Sequence, residues 1–348
     1  MKKRIVFLYT ELAEYIKACM DELAKEDIEV HVFYYPINPE APFNFDFESS
    51  GCEFYLRTEF TRSELLNKIK NINPQAIVCS GWIDKDYVSI CRELRPQIRT
   101  IVALDNQLEG GLKPRLARER AKRLFKPAFD YAWVPGIPQV RYAEKIGFRP
   151  DEIQTGFYTV DVEKWSRVNG NNLNGDFPKR FVFVGRYMEF KGVLELWEAF
   201  SQIDTKGWEL YCAGNGDLYP TRRIYKGIHH VGFVQPIDLG KFVAQGGVFI
   251  LPSHKEPWGV VVHEFAAAGY PIICTENVGA ASAFLKDGIN GYLIKSNDIS
   301  ELKKAMSKII RMTDEDLRVM GRESERFARQ VDIDGWVKVA INYVKEIK

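Results

Sequence analysis

Short apolar runs alternate with amphipathic stretches along nearly the whole chain. The clearest runs are 5–9, 30–34, 76–79 and 100–104 in the first half and 181–184, 209–213, 248–251 and 272–275 in the second. Each run is short enough for a strand, and amphipathic stretches with helical spacing separate the runs. The pattern predicts an α/β fold built on parallel sheets.

A polar, turn-forming stretch separates the two series of strands. It reads Val-Asn-Gly-Asn-Asn-Leu-Asn-Gly over 168–175 and offers little to bury. A chain of 348 residues also suits two domains at roughly 150 residues each. We therefore predict a Rossmann-like domain over 1–167, a linker over 168–177 and a second Rossmann-like domain over 178–330.

The composition of the chain bears on its partners and on its cellular compartment. Lys and Arg total 48 against 47 for Asp and Glu, so net charge gives no case for a nucleic-acid partner. No apolar run approaches the ~20 residues of a membrane span, and Glu11 and Glu14 interrupt the first run too early for a signal peptide. Six cysteines without a C-x-x-C pair predict buried, reduced thiols in a cytoplasmic protein.

One stretch departs from this charge balance. Residues 113–126 carry seven basic side chains against the single acidic Glu119. The segment can be a helix lying on an anionic membrane surface, or an ordinary solvated face packed on the sheet through Leu116, Ala117, Ala121, Leu124 and Phe125. The sequence leaves both interpretations open.

The first candidate motif follows the opening strand of the second domain. Gly185 and Gly192 bracket a turn that presents Arg186 and Lys191 before a predicted helix. Two cations at a strand end next to a helix N-terminus suit a diphosphate. Solvated loop charges are the plainer explanation of the same pattern.

The second motif runs from Pro252 through a loop into an apolar helix. Glu256 lies in the loop, and Glu264 lies in the second helical turn. The peptide N–H groups of Gly259, Val260 and Val261 would form an anion site, and the carboxylates would accept hydrogen bonds from sugar hydroxyls. A capping role explains Glu256 equally well, but it leaves Glu264 unexplained among apolar neighbours.

Two glycine turns and the histidines carry weaker signals. Gly214-x-Gly216 lacks the third glycine of a dinucleotide fingerprint and follows the second strand of its domain, so NAD binding is not favoured. The turn from Gly232 to Gln235 either meets a nucleobase with its amides or is simply a turn. The histidines (His229, His230, His254, His263) show no metal-ligand spacing. No metal and no cofactor are predicted.

Taken together, these motifs resemble those of the retaining GT-B glycosyltransferases of family 4. The matching residues, in order, are Gly185-Arg186, Lys191-Gly192, Gly214-x-Gly216, Gly232-Phe233-Val234 and Pro252-Ser253-x-x-Glu256-Pro257-Trp258-Gly259, running to Glu264 as an E-x7-E pattern. The resemblance implies a GT-B fold, with two Rossmann-like domains facing each other across a cleft. It also implies that 331–348 is a helix crossing back to the N-terminal domain, anchored by Trp336.

The resemblance also implies a role for each matching residue. Arg186, Lys191 and Glu256 would be catalytic, with the cations on the donor diphosphate and Glu256 on the transferred sugar. Donor binding would involve Gly185, Val234, Gly259, Val260, Val261 and Glu264, with Val234 near the base and Glu264 on the ribose. No metal is required, because the two cations would compensate the leaving diphosphate.

The acceptor side departs from the family. The glycine-rich turn after the first strand is replaced by Tyr9-Thr10-Glu11, and no histidine follows a middle strand. Candidates on that side are Glu11, Trp82, Asp105 and Asn106, each with a capping or packing role as an equal alternative. A front-face displacement needs no enzyme base there, so activity is still expected.

The resulting expectation is a retaining, metal-independent hexosyltransferase. It would use a nucleotide-sugar, with a UDP-sugar favoured over GDP-mannose, and act on a glycan or lipid-linked glycan in cell-surface polysaccharide synthesis. It would be cytoplasmic and in peripheral contact with the inner membrane face through 113–126. The alternatives are another GT-B enzyme (a nucleotide-sugar epimerase or a phosphorylase) and a non-enzymatic sugar-nucleotide-binding protein.

Overall fold

The chain folds into two α/β units. A computed structural model describes residues 2–36, 45–48, 50–168, 171 and 175–345. One unit comprises Met1–Val160 and Val331–Lys348, and the other comprises Asp161–Gln330. Each is built on a parallel sheet with alternating helices. The predicted pair of Rossmann-like domains is confirmed.

The first unit follows a regular strand-and-helix order. Its elements are β1 (Lys3–Leu8), α1 (Glu14–Ala24), β2 (Ile28–Tyr34), β3 (Glu53–Leu56), α2 (Arg62–Ile72), β4 (Ala76–Ser80), α3 (Lys85–Leu94), β5 (Arg99–Ala103), α4 (Leu112–Phe125), β6 (Tyr131–Trp133), α5 (Ile137–Lys145) and β7 (Ile153–Gln154). The strand order is β3-β2-β1-β4-β5-β6-β7, and all neighbours are parallel. The chain thus reverses its direction of winding between β1 and β4.

The second unit repeats this plan. Its elements are α6 (Val162–Arg167), β8 (Arg180–Val184), α7 (Val193–Ser201), β9 (Glu209–Ala213), β10 (Ile228–Gly232), α8 (Pro236–Val243), β11 (Val248–Leu251), α9 (Val260–Ala267), β12 (Ile272–Thr275), α10 (Ala281–Phe284), β13 (Gly291–Ile294), α11 (Ile299–Arg311) and α12 (Asp314–Ala328). The strand order is β10-β9-β8-β11-β12-β13, again parallel. Winding reverses between β8 and β11.

The last helix, α13 (Ile333–Lys345), belongs to the first unit. Its Trp336 is 1% exposed. The indole stacks on Phe7 with ring centroids 5.8 Å apart and packs at a tilt against Trp133 with centroids 4.9 Å apart. The indole Nε1 donates a hydrogen bond to the Phe157 carbonyl at 3.0 Å. The apolar layer on this face of the first sheet therefore contains residues from both ends of the chain.

The boundary between the units differs from the predicted linker. The second unit starts at Asp161, and α6 already packs on α9. Residues 169, 170 and 172–174 lie outside the described residues. Within the predicted linker, Asn171 is buried and binds the carbonyls of Gly247 and Gly269 at 3.0 and 3.1 Å. The polar stretch is thus not only a spacer, because one of its amides satisfies buried backbone groups.

The helix α4 also differs from the sequence expectation. Only Ala121 and Phe125 are buried in it. Leu116 and Ala117, which the amphipathic interpretation placed in the packed stripe, are exposed. The N-terminal part of α4 therefore does not pack on the sheet, as it would if α4 were an ordinary solvated amphipathic helix.

Candidate functional site

The predicted donor-site residues gather where the second sheet reverses its winding. β8 and β11 are adjacent parallel strands, so their carboxyl ends open side by side. Arg186 and Lys191 follow β8, and Glu256 follows β11. Open α/β sheets bind ligands at this kind of reversal, outside the carboxyl ends of the strands. The fold therefore brings together two motifs that are far apart in sequence.

Close backbone packing holds these two loops together. Gly192 has φ +67°, and a Cβ there would lie 2.1 Å from the Pro252 carbonyl oxygen. The His254 amide donates to the Phe190 carbonyl at 2.7 Å. Only glycine fits this approach at Gly192, because both the dihedral and the space exclude a side chain.

Lys191 and Glu256 form an ion pair across the two loops. Their side chains are 14% and 12% exposed, so the pair is shielded from most solvent screening. The Ser253 hydroxyl lies 3.5 Å from the same carboxylate oxygen. The structure thus joins the residue predicted to hold phosphate to the residue predicted to hold sugar.

Gly185 and Arg186 begin the loop that follows β8. The Gly185 amide donates to the Ala213 carbonyl at 3.0 Å, which ties this turn to the end of β9. Arg186 is exposed. Its guanidinium is therefore accessible to an anion in solvent.

The third part of the site is the start of α9. Gly259 has φ +88°, and a Cβ there would lie 2.9 Å from Cγ of Glu256. The helix begins at Val260, so the first-turn amides lack intrahelical acceptors. Val260, Val261 and Glu264 are the partly exposed residues of this helix. They lie on one face, because helical residues four apart are neighbours.

The Glu264 carboxyl has no hydrogen-bond or ion-pair partner among the residues that the structure describes. The residue is half-buried. Desolvation raises the pKa of its carboxyl to about 7, and the positive charge of Lys164 opposes part of that rise. A desolvated carboxylate without a partner is costly unless a ligand supplies one.

The Gly214-x-Gly216 turn has a packing explanation. A Cβ on Gly214 would lie 1.9 Å from the Gly185 carbonyl oxygen, and one on Gly216 would lie 2.8 Å from that of Tyr187. The Gly214 amide also donates to the Gly232 carbonyl at 2.7 Å. These glycines therefore let the loops after β8, β9 and β10 approach closely. Val234, predicted near the base, is half-buried just beyond β10.

Two further groups adjoin the site without any sequence signal. Lys164 on α6 acts on Glu264, about 100 positions later in the chain. His254 places its Nε2 3.2 Å from Oε1 of Glu195 on α7. These neighbours depend on helix packing, which spacing along the chain does not reveal.

The acceptor-side candidates follow strands of the first sheet. Glu11 follows β1, Trp82 follows β4, and Asp105 and Asn106 follow β5. The Thr10 amide donates to the Ser80 hydroxyl at 2.9 Å, where this sheet reverses its winding. The Tyr158 hydroxyl lies 3.4 Å from Oδ2 of Asp105. All four candidates share one edge of the sheet.

Within the described ranges, no cluster of three or more His, Cys, Asp or Glu could hold a metal ion. Over the same part of the chain, no helix has the length and apolar character needed to span a membrane. All six cysteines are buried thiols, and none of them is in a disulfide.

Most of the second unit is similar to a known family. Residues 178–312 match the family described as Glycosyl transferases group 1. The chain is 29% identical over 179 residues to the capsular polysaccharide biosynthesis glycosyltransferase CapM of Staphylococcus aureus, covering 48% of this chain and 44% of CapM. The predicted resemblance to group 1 glycosyltransferases is confirmed.

Two further relatives extend the comparison. The N,N'-diacetylbacillosaminyl-diphospho-undecaprenol alpha-1,3-N-acetylgalactosaminyltransferase of Campylobacter jejuni is 23% identical over 244 residues, covering 65% of this chain and 63% of that protein. The structure of Anabaena HepE in complex with UDP and glucose superposes with a TM-score of 0.72 at 14% identity, covering 98% of both chains, and shares the GT-B fold. The chain spans less than two thirds of the length of these curated relatives.

Proposed function

We propose that this chain, whose residues 178–312 form a group 1 glycosyl transferase domain within a GT-B fold, transfers a sugar from a nucleotide-sugar to an acceptor hydroxyl. The observation that carries the proposal is the Lys191–Glu256 ion pair, which joins the loops after β8 and β11 at the winding reversal of the second sheet, just before the helix that carries Glu264. Arg186 and the first-turn amides of α9 complete the set.

Each group has a role that its chemistry supports. Arg186 and Lys191 bind the diphosphate and stabilise the charge that develops on it as the glycosidic bond breaks. The amides of Gly259, Val260 and Val261 add donors at a helix N-terminus. Glu264 accepts hydrogen bonds from the ribose hydroxyls, Glu256 binds hydroxyls of the sugar, and Gly185 and Val234 contact the nucleotide.

The proposed reaction retains the anomeric configuration. The acceptor oxygen bonds to the anomeric carbon on the face from which the phosphate oxygen leaves. The acceptor proton passes to that phosphate oxygen, so the products are the glycoside and the nucleoside diphosphate. Cationic side chains rather than a metal ion balance the departing charge, and no cofactor is required.

A UDP-sugar is the favoured donor, ahead of GDP-mannose. The support is the UDP and glucose present in the Anabaena structure. For the acceptor we propose a glycan or lipid-linked glycan of cell-surface polysaccharide synthesis. The names of the Staphylococcus and Campylobacter relatives support this class. The reaction would take place at the cytoplasmic membrane face, with residues 113–126 in peripheral contact.

Thermal-shift titration with UDP, GDP, ADP and their sugar conjugates tests the donor site. A ligand that binds only the folded chain must raise its Tm. We expect one nucleotide to stabilise the wild type and to stabilise Glu264→Gln and Arg186→Met far less. Glu276→Gln, an exposed carboxylate, is the matched control and should respond like the wild type. No shift with any nucleotide at millimolar concentration would reject the proposal.

Product analysis separates transfer from the alternatives. A transferase releases nucleoside diphosphate in step with glycoside formation. An epimerase converts the nucleotide-sugar without releasing the diphosphate, and a phosphorylase consumes phosphate. Nucleotide binding without turnover of any donor in the presence of lipid-linked and free glycans would favour a non-enzymatic sensor.

A further inference from the structure

Two polar side chains meet in the interior of the second unit, beside the loop that follows β8. Tyr187 follows Arg186 in the chain and is fully buried, and His230 of β10 is half-buried. The Tyr187 hydroxyl lies 3.0 Å from Nδ1 of His230 and 3.1 Å from the Cys212 carbonyl oxygen. A buried hydroxyl needs such partners, because leaving it without one costs free energy.

The imidazole of His230 binds two loops at once. Its Nε2 lies 2.9 Å from the Arg223 carbonyl oxygen. A carbonyl only accepts hydrogen bonds, so Nε2 carries the proton of the neutral ring. Nδ1 is then an acceptor, and the Tyr187 hydroxyl donates to it. One ring nitrogen therefore holds the loop after β8, and the other holds the loop after β9.

The surroundings of His230 favour this neutral ring. Desolvation lowers the pKa of the imidazole. The hydrogen bond to the Arg223 carbonyl opposes part of that decrease, and the charges of Arg222 and His229 add to it. At pH 7 the ring is therefore neutral, as the acceptor role of Nδ1 requires.

Tyr187 is fixed at its backbone as well as at its hydroxyl. Its amide donates to the Asn215 carbonyl at 2.8 Å, and its carbonyl accepts from the Leu218 amide at 2.9 Å. Its ring also packs against that of Tyr219, with centroids 5.3 Å apart. The position of Arg186, one residue earlier, therefore depends on how Tyr187 is held.

His230 also precedes the turn that is proposed to meet the base. β10 ends at Gly232, two residues after His230, and Val234 follows it. The same ring is thus joined to the loop proposed to bind phosphate and, through the strand, to this turn. Packing alone does not require a polar pair here, since apolar groups of the same shape are nearly neutral replacements for a buried hydrogen-bonded pair. A directional hydrogen bond, in contrast, fixes one arrangement of the loops.

We propose that His230 is a positioning residue of the donor site. It holds Tyr187, and so the loop that presents Arg186, in the arrangement that receives a nucleoside diphosphate. The inference rests on the proposed donor site and deepens it, because it adds two residues that act without touching the ligand. The Nδ1 acceptor, rather than the bulk of the ring, carries this role.

Calorimetric titration of the full chain at about pH 7.5 with UDP, GDP and ADP tests this role. For the nucleotide that the wild type binds, Tyr187→Phe and His230→Phe should each weaken binding about tenfold, because each removes the bond between these side chains. His230→Asn should bind within about threefold of the wild type, since its Oδ1 replaces Nδ1 as the acceptor. Tyr187→Phe combined with His230→Phe should lose no more affinity than His230→Phe alone.

Melting temperatures separate this role from a purely structural one. His230→Phe keeps a ring in place and should melt above His230→Asn, which leaves a cavity. Affinity should follow the opposite order, which a ring needed only for packing would not produce. His229→Phe is the matched control. It changes the neighbouring histidine, whose Nε2 lies 3.3 Å from Oε1 of Glu209, and should bind the nucleotide as the wild type does.

Two results would overturn the inference while leaving the donor site intact. One is a His230→Phe protein that binds the nucleotide as tightly as the wild type does. The other is a His230→Asn protein that binds as weakly as His230→Phe, since the acceptor atom would then have no role. A wild type that binds none of the three nucleotides would instead reject the proposed donor site, and the inference with it.

Discussion

Glu264 lies on a helix whose other side is buried, and its carboxyl forms no hydrogen bond or ion pair with the residues that the structure describes. Its pKa of about 7 exceeds the ordinary 4.5, so the folded chain binds its proton more tightly than the unfolded chain does. The stability that it contributes is complete below the unfolded pKa and is lost as pH rises through about 7. The site thus keeps a destabilising charge at neutral pH, as ligand-binding groups often do.

Replacing this carboxyl by an amide should separate stability from binding. We expect Glu264→Gln to be more stable than the wild type at pH 8, by up to about 3 kcal/mol, and to lose the advantage at pH 5. The same substitution should weaken nucleotide binding, because an amide is a poorer acceptor for ribose hydroxyls. Tm measured at both pH values, with Glu276→Gln as the control, checks this. Equal Tm differences at pH 5 and pH 8 would contradict the pKa assignment.

The ion pair between Lys191 and Glu256 leads to a second prediction about single residues. The diphosphate must compete with Glu256 for the same ammonium group. Glu256→Gln should therefore bind nucleoside diphosphate more tightly, by up to about fivefold, while losing sugar transfer. Glu189→Gln, which changes an exposed carboxylate in the same loop, should alter affinity little. Calorimetric titration showing weaker binding by Glu256→Gln would rule out competition.

The sequence predicted which residues belong to the site but not which of them contact each other. The sequence indicated Glu264 because its neighbours are apolar, and within the described part of the chain its carboxyl forms no hydrogen bond or ion pair. It gave no sign that Lys191 pairs with Glu256, or that Lys164 acts on Glu264. Those relations depend on loops and helices that fold together from distant parts of the chain.

Among the secondary-structure elements, the strands buried inside a sheet were the ones that could be predicted from sequence. The eight predicted runs all became strands at or near the centres of the sheets. Outside those eight runs lie β3, β6, β7, β10 and β13, of which β3, β7, β10 and β13 are edge strands. Edge strands are covered less completely. β10 reads Ile-His-His-Val-Gly and is half-exposed, β7 has only two residues, and β3 and β13 are partly exposed although they are largely apolar.

The close packing of the two donor-site loops at Gly192 leads to a prediction. Gly192→Ala would place a methyl group 2.1 Å from the Pro252 carbonyl oxygen, forcing the two donor loops apart. We expect it to cost at least about 3 kcal/mol of stability and to abolish nucleotide binding. Gly207→Ala shares a positive φ but meets nothing within 4 Å, so it should cost only about 1 kcal/mol. Similar Tm losses in the two variants would mean that backbone strain, not loop contact, requires Gly192.

For the whole molecule, the sequence predicted two α/β units but not where they divide. The polar stretch 168–175 marked a boundary by composition. The fold assigns the preceding helix to the second unit, because α6 packs on α9. Burial of Asn171 against the Gly247 and Gly269 carbonyls could not be foreseen, since asparagine in a polar run reads as a turn residue.

The helix α13, which returns the chain to the first unit, leads to a further prediction. Trp336→Ala removes a fully packed indole from the first unit and should cost about 3–5 kcal/mol of its stability. Below the melting transition, nucleotide affinity should be unchanged, because every proposed donor-site residue lies in the second unit. Trp336→Phe is the milder control. A large loss of nucleotide affinity in a folded Trp336→Ala protein would show that the donor site depends on the first unit.

The proposed donor site at the winding reversal of the second sheet should bind the diphosphate of a nucleotide-sugar. Isothermal titration of the full chain with UDP, on the wild type and on Arg186→Met, measures this binding. We expect saturable binding by the wild type and at least about tenfold weaker binding by the variant, because one charge-assisted contact is lost. Equal affinity of the two proteins for UDP, or failure of the wild type to bind UDP, GDP or ADP, would refute the proposed site.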